Sequence, residues 1–370
     1  MTTDSHKYYI SQLLAKTFSF AQNYLFVILL HKFSNSSELR DWSLITQWIS
    51  ICAILDLGLI NFINTARNPL TSSRILGRLS FPISIFFAFT WTVYLYFQAN
   101  FDFKLIFILF FYVFFSYFIF MKAFFFSKSS DYIGSIYAYF VTSLGSIIFF
   151  ILTLLGFINF NIKTILIFDT FIKASYFFLG GNWRYGNYSI WQFSKKIIHI
   201  FPYARLQLYM FLVHSSEYIL AYNMIKSVEE YNEFSSSFRA AQMSLLVVSL
   251  RSSRVIQKSK MYRNTYENIS NILTLLFLTI ASYCVLVFFK GSFDLTYILF
   301  VLSESLVVLY TTFWIISDRA GLEKFYFLTF LPITALKAFL FYFYKADFLF
   351  GPSVVFLLAI YIFKPRKVLI

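Results

Sequence analysis

Lysine and arginine gather on every second connection between about twelve apolar stretches, and no motif constrains this chain as strongly as that alternation. Each stretch runs for roughly 20 residues, enough for a helix to cross the hydrocarbon core of a bilayer. The stretches lie near 11–31, 44–64, 80–98, 104–121, 132–156, 162–180, 200–222, 233–250, 268–289, 295–317, 325–344 and 348–363. One side collects Lys7, the Arg67, Arg74 and Arg78 group, Lys122 with Lys128, and Arg184 with Lys195 and Lys196. It also takes the run from Arg251 to Arg263, Arg319 with Lys324, and Lys364, Arg366 and Lys367. The other side holds only Lys32, Arg40, Lys104, Lys163, Lys226, Lys290 and Lys345. Positive charge is retained in the cytoplasm. The pattern therefore predicts an all-α polytopic membrane protein of about 12 transmembrane helices, with both termini cytoplasmic (N-in/C-in).

Composition agrees. A mean hydropathy of +0.68, with 59% hydrophobic and 13% charged residues, excludes a soluble domain. The net charge of +14 then reads as positive-inside bias, and no nucleic-acid partner is expected. No small-residue cleavage site follows the first apolar run, which reads as a retained helix rather than a signal peptide. Cys52 and Cys284 both sit within spans, so neither a disulfide framework nor a metal site is supported. The 52 Phe and 27 Tyr fit a lipid-facing surface better than an aromatic cage.

The longest outside connections, about 32–43 and 223–232, are too small for an extracytoplasmic domain. The longest inside connection, 181–199, falls near the midpoint of the chain. It predicts an N-terminal six-helix lobe over 1–180, a cytoplasmic linker over 181–199 and a C-terminal six-helix lobe over 200–370, as in transporters built from repeats. A weak internal echo agrees: Glu38 to Trp42 leads into span two with Gln47 beyond it, and Glu230 to Phe234 leads into span eight with Arg239 beyond it. Of the prolines, Pro69, Pro82, Pro202, Pro352 and Pro365 are expected in loops or near span ends, and Pro332 inside span eleven.

Polar residues inside spans are expensive and usually face a cavity or a partner. On span one, Gln12, Lys16, Ser19 and Asn23 recur on one helical face. Span two carries Ser43, Gln47, Ser50, Asn61 and Asn64 along one side, plus Asp56. On span seven Gln207, His214 and Glu217 share a face, with Arg205 near the cytoplasmic end, and on span eight Ser235, Arg239, Gln242 and Ser249 share another. These stripes fall on the first two helices of each half, as they would if the four helices lined a shared cavity. Lys16, Arg205, Arg239 and Lys337 also lie near enough to a surface to snorkel, so both readings stand. Asp169 and Lys173, at i and i+4 on span six, are expected to neutralise each other. Asp56 and Glu304 lie deeper, as ion-coupling carboxylates or as hydrogen-bonded packing groups. His214 reads as a structural partner of Glu217. No phosphate loop, metal-ligand spacing or nucleophile–base pair appears, so a transporter without a cofactor is expected rather than an enzyme.

The stretch from Trp48 through Asp56, Leu57, Gly58 and Leu59, followed by Asn61 and Thr65-Ala66-Arg67, resembles a known helix. It is similar to the second helix of bacterial polysaccharide-biosynthesis flippases, the O-antigen or capsule repeat-unit exporters of the multidrug/oligosaccharidyl-lipid/polysaccharide exporter superfamily. In that family an Asp-x-Gly-Leu step late in the helix precedes a basic residue at the cytoplasmic exit, and Asp56, Gly58 and Arg67 occupy those places. The resemblance implies two lobes in an inverted V around a basic cavity lined mainly by spans one, two, seven and eight. The chain departs from the family in its short last span, in the acidic Glu230 where a small residue is usual, and in lacking a proline where span eight exits.

The expected activity is translocation of undecaprenyl-diphosphate-linked oligosaccharide across the bacterial cytoplasmic (inner) membrane by alternating access. Lys16 and Arg205 would receive the pyrophosphate and Arg239 would hold the head group in the outward state, with Asn23, Gln47 and Gln242 completing the substrate-binding set. Asp56, Glu304 and Glu217 are the candidates for coupling to a proton or sodium gradient. Membrane lipid, and a polymerase and chain-length regulator of the same pathway, are the further partners considered. The rival readings are an integral-membrane repeat-unit polymerase and another exporter of the same superfamily.

Overall fold

The computed structural model describes residues 2–46, 69–99, 101–128, 131–179, 221–236 and 238–239, with isolated positions 335 and 339. Among these residues every regular element is helical. Six long segments are α1 (Thr2–Lys32), α2 (Ser37–Ile45), α3 (Pro69–Ala99), α4 (Phe103–Lys128), α5 (Tyr132–Leu154) and α6 (Ile162–Leu179). Further helical stretches cover 221–224 and 228–236. Among the described residues, three segments are long and apolar enough to cross a membrane: Ser80–Phe97, Phe103–Ala123 and Tyr132–Leu154. The chain is therefore an all-helical membrane protein over its described residues.

It divides into two compact units, Met1–Leu25 with Ser37–Leu208, and Phe26–Ser36 with Tyr209–Ile370. In the first unit α4 is the central helix, packed against α3, α5 and α6, while α5 also packs on α6 and α2 touches α6. Its sequence explains that position. Phe103–Ala123 has a mean hydropathy of 2.2 against 1.4 and 1.9 for the other two spans, and a helix apolar all round belongs inside a bundle. Tyr112 to Ile119 are buried without a break. Phe87 stacks on Tyr117 at 4.6 Å, and Trp42 of α2 meets Tyr112 at 5.7 Å and the edge of Phe150 at 6.3 Å. Outward-facing positions are also aromatic: Phe89, Phe97, Phe107, Phe171 and Phe178 are exposed, as suits hydrocarbon rather than a sugar cage.

The ends of the helices are built from local chemistry. Asp131 caps α5 by accepting from Gly134 N–H at 3.0 Å, and Asp102 caps α4 by accepting from Leu105 N–H at 2.7 Å. The end of α5 is a Schellman turn: Phe157 N–H donates to Leu152 O and Gly156 N–H to Thr153 O, with Gly156 at φ 80°. A side chain there would be strained, which is why glycine stands in that place.

Two sequence expectations change. The outside connection expected over 32–43 is helical from Ser37 to Ile45, because α2 buries Leu39, Trp42, Leu44 and Ile45. Pro82 is inside a helix rather than near its end, because α3 begins at Pro69 and carries the basic Arg74 and Arg78 segment as helix. Pro69 suits its place as the first residue, where its missing N–H costs nothing.

Candidate functional site

One polar cluster lies among the apolar helices of the first unit. On α6, Asp169 and Lys173 are one turn apart and both buried, at 0% and 1% exposure. Lys173 Nζ donates to Asp169 Oδ2 at 2.8 Å and to Ser116 Oγ of α4 at 2.9 Å. The same ammonium stands 4.3 Å from the ring centre of Tyr112, also on α4. Ser146 Oγ of α5 donates to Asp169 Oδ2 at 2.9 Å. The cluster thus binds α4, α5 and α6 together, and the neutralisation expected for Asp169 and Lys173 is what the pair does.

The carboxylate is unevenly satisfied. Oδ2 takes two donors, whereas Oδ1 is buried without a hydrogen-bond donor among the described residues. It lies over Gly145 of α5, where any Cβ would collide with Oδ1 and would come within 2.9 Å of the Asp169 Cα. Glycine at 145 is what lets the two helices close on this carboxyl.

A second polar set lies at the starts of α4 and α6. Asn161 precedes α6 and its Oδ1 accepts from the N–H groups of Lys163 and Thr164 at 3.0 and 3.1 Å. Glu38 of α2 completes the cap, taking Ile162 N–H at 3.2 Å and Asn161 Nδ2 at 3.3 Å. Burial pushes the Glu38 carboxyl above its ordinary value, against the opposing pull of Ile162 N–H and Lys163. Lys163 also pairs with Asp102 at 3.1 Å, joining the starts of α6 and α4. The Leu105 N–H, then Lys163, hold the Asp102 carboxyl below the usual carboxylate range.

In the second unit, Asn232 Nδ2 donates to Ser34 O at 2.6 Å and Ser36 O at 3.0 Å, securing the turn that follows α1. Arg239 is 6% exposed, with its guanidinium carbon 4.6 Å from the ring centre of Phe26. Ser235, on the same expected face, is fully buried.

The other expected site residues divide simply. Lys16 and Asn23 fall on α1, and Asn23 is half-buried. Gln47, Asp56, Arg205, Glu217, Gln242 and Glu304 lie outside the described residues, as do His214 and Lys337. Sequence reasoning missed Ser116, Ser146, Tyr112 and Gly145 as partners of the span-six pair. A lone serine within the apolar run of α4 was the available signal, but one serine does not reveal which helix it faces. Among the described residues, no group of three or more His, Cys, Asp and Glu could hold a metal ion. Comparison with models of known protein families, with curated proteins and with solved structures gave no match.

Proposed function

We propose that this chain is a flippase that moves undecaprenyl-diphosphate-linked oligosaccharide repeat units from the cytoplasmic to the outer leaflet of the bacterial inner membrane. The observation that carries the reading is Arg239, a guanidinium buried on span eight against Phe26 of span one. A cation kept buried against an apolar ring is costly and suits a cavity that receives an anionic head group. The Asp56, Gly58 and Arg67 resemblance and the basic residues of spans one and seven support it. The problem solved is electrostatic, because a pyrophosphate and a hydrophilic sugar do not cross hydrocarbon unaided. Two six-helix lobes would rock about the 181–199 linker, with the lipid tail left in the bilayer. Asp56, Glu304 or Glu217 would couple the movement to a proton or sodium gradient.

The test is a deletion strain, with surface polysaccharide read beside the lipid-linked intermediates. The flippase reading expects loss of nearly all surface chains and lipid-linked single units trapped on the cytoplasmic side. Surface material capped with one repeat unit would assign the chain to polymerisation instead.

A further inference from the structure

The cluster around Lys173 has the make-up of a cation cage rather than of a simple ion pair. We propose that it is a monovalent-cation site of the first unit that the chain fills with its own ammonium. Two oxygens from two helices hold the ammonium, Asp169 Oδ2 and Ser116 Oγ, and Ser146 Oγ of a third helix donates to the same carboxylate oxygen. The Tyr112 ring covers the remaining side at 4.3 Å, an arrangement that favours a cation over any neutral group. Lys173 Nζ directs its donors to Asp169 Oδ2 and Ser116 Oγ and sets its charge on the ring, leaving Ser146 Oγ and Asp169 Oδ1 without a bond to the ammonium.

The second observation is the carboxylate itself. A pair evolved only to cancel charge would satisfy both oxygens, yet Asp169 Oδ1 is buried with no donor among the described residues. Such an oxygen holds coordinating capacity that a hydrogen bond to Lys173 does not use. The site therefore takes a small monovalent cation by class, and in the native chain a tethered one. The first unit then binds no free sodium in this cluster, and the charge open to exchange is the Lys173 proton. The titratable groups facing it are Asp169 of α6 and Tyr112 of α4. From α5 comes Ser146, and the α2 carboxylate Glu38 lies away at Asn161 and Ile162.

The full-length chain and its Lys173→Ala variant are purified in detergent, and their thermal unfolding is followed in sodium chloride and in choline chloride at equal ionic strength. The native chain should be indifferent to the choice of salt. Lys173→Ala should show a Tm that rises with sodium and saturates, with no rise in choline, and adding Asp169→Asn should abolish the rise. Recovery of folded Lys173→Ala only when sodium is present would support the site equally. A folded Lys173→Ala indifferent to sodium would overturn the proposal. So would a Lys173→Ala that aggregates in every salt while the double variant Asp169→Leu/Lys173→Met folds normally, since the residues would then be a neutralised pair and nothing more.

Discussion

Gly145 and Asp169 set how closely α5 and α6 approach. Because an added Cβ meets both the carboxyl and the backbone of Asp169, Gly145→Ala should destabilise the chain by about 1–3 kcal/mol, read from unfolding in detergent. The ion pair is costlier to break than to delete. Asp169→Leu alone leaves a buried ammonium without its counter-charge and should cost about 3–5 kcal/mol, whereas Asp169→Leu with Lys173→Met should be close to neutral. The pair was legible because four-residue spacing on a helix is a property of sequence. Its serine and tyrosine partners were not, because which faces of α4 and α5 turn towards α6 depends on packing between helices. Arg239 illustrates the converse. Its side-chain type was readable from the sequence, and only the fold shows its burial against Phe26.

Among the elements, α6 depends on a partner for its first turn. Asn161 satisfies two of its N–H groups and Glu38 a third, so Glu38→Ala should remove about 1 kcal/mol of capping. Hydrogen exchange at the Ile162 amide should quicken about fivefold. Asp102 gives this end a pH dependence of known sign. Its folded value lies below the ordinary 3.8, so its contribution is present above that value and is lost as pH falls through the lowered one. The stability difference between the native chain and Asp102→Asn should therefore vanish on acidification. The starts of α4, α5 and α6 were legible to within a residue of the stretches read at 104, 132 and 162, because a long apolar run after a polar break leaves little freedom. The start of α3 was not, since its first turns are polar and basic and carry no apolar signal. For α2 the signal was present in Leu39, Trp42, Leu44 and Ile45, but nine residues are too few to separate a helix from a connection.

For the molecule as a whole, three membrane-grade helices fit the apolar stretches read at 80–98, 104–121 and 132–156. The basic alternation predicts which side each loop faces: Phe157→Cys should react with an impermeant thiol reagent added outside, and Ser129→Cys only after the membrane is opened. A transporter of anionic head groups also needs its buried cation, so Arg239→Ala should slow transport about tenfold, the worth of one charge-assisted hydrogen bond. The direct measurement is made with the purified chain in sealed liposomes that carry a fluorescent undecaprenyl-diphosphate-linked oligosaccharide, followed by an impermeant quencher. The account predicts that the inner-leaflet pool becomes accessible in liposomes holding the chain and stays protected in liposomes without it. A protected pool that persists in the presence of the folded chain would contradict the account.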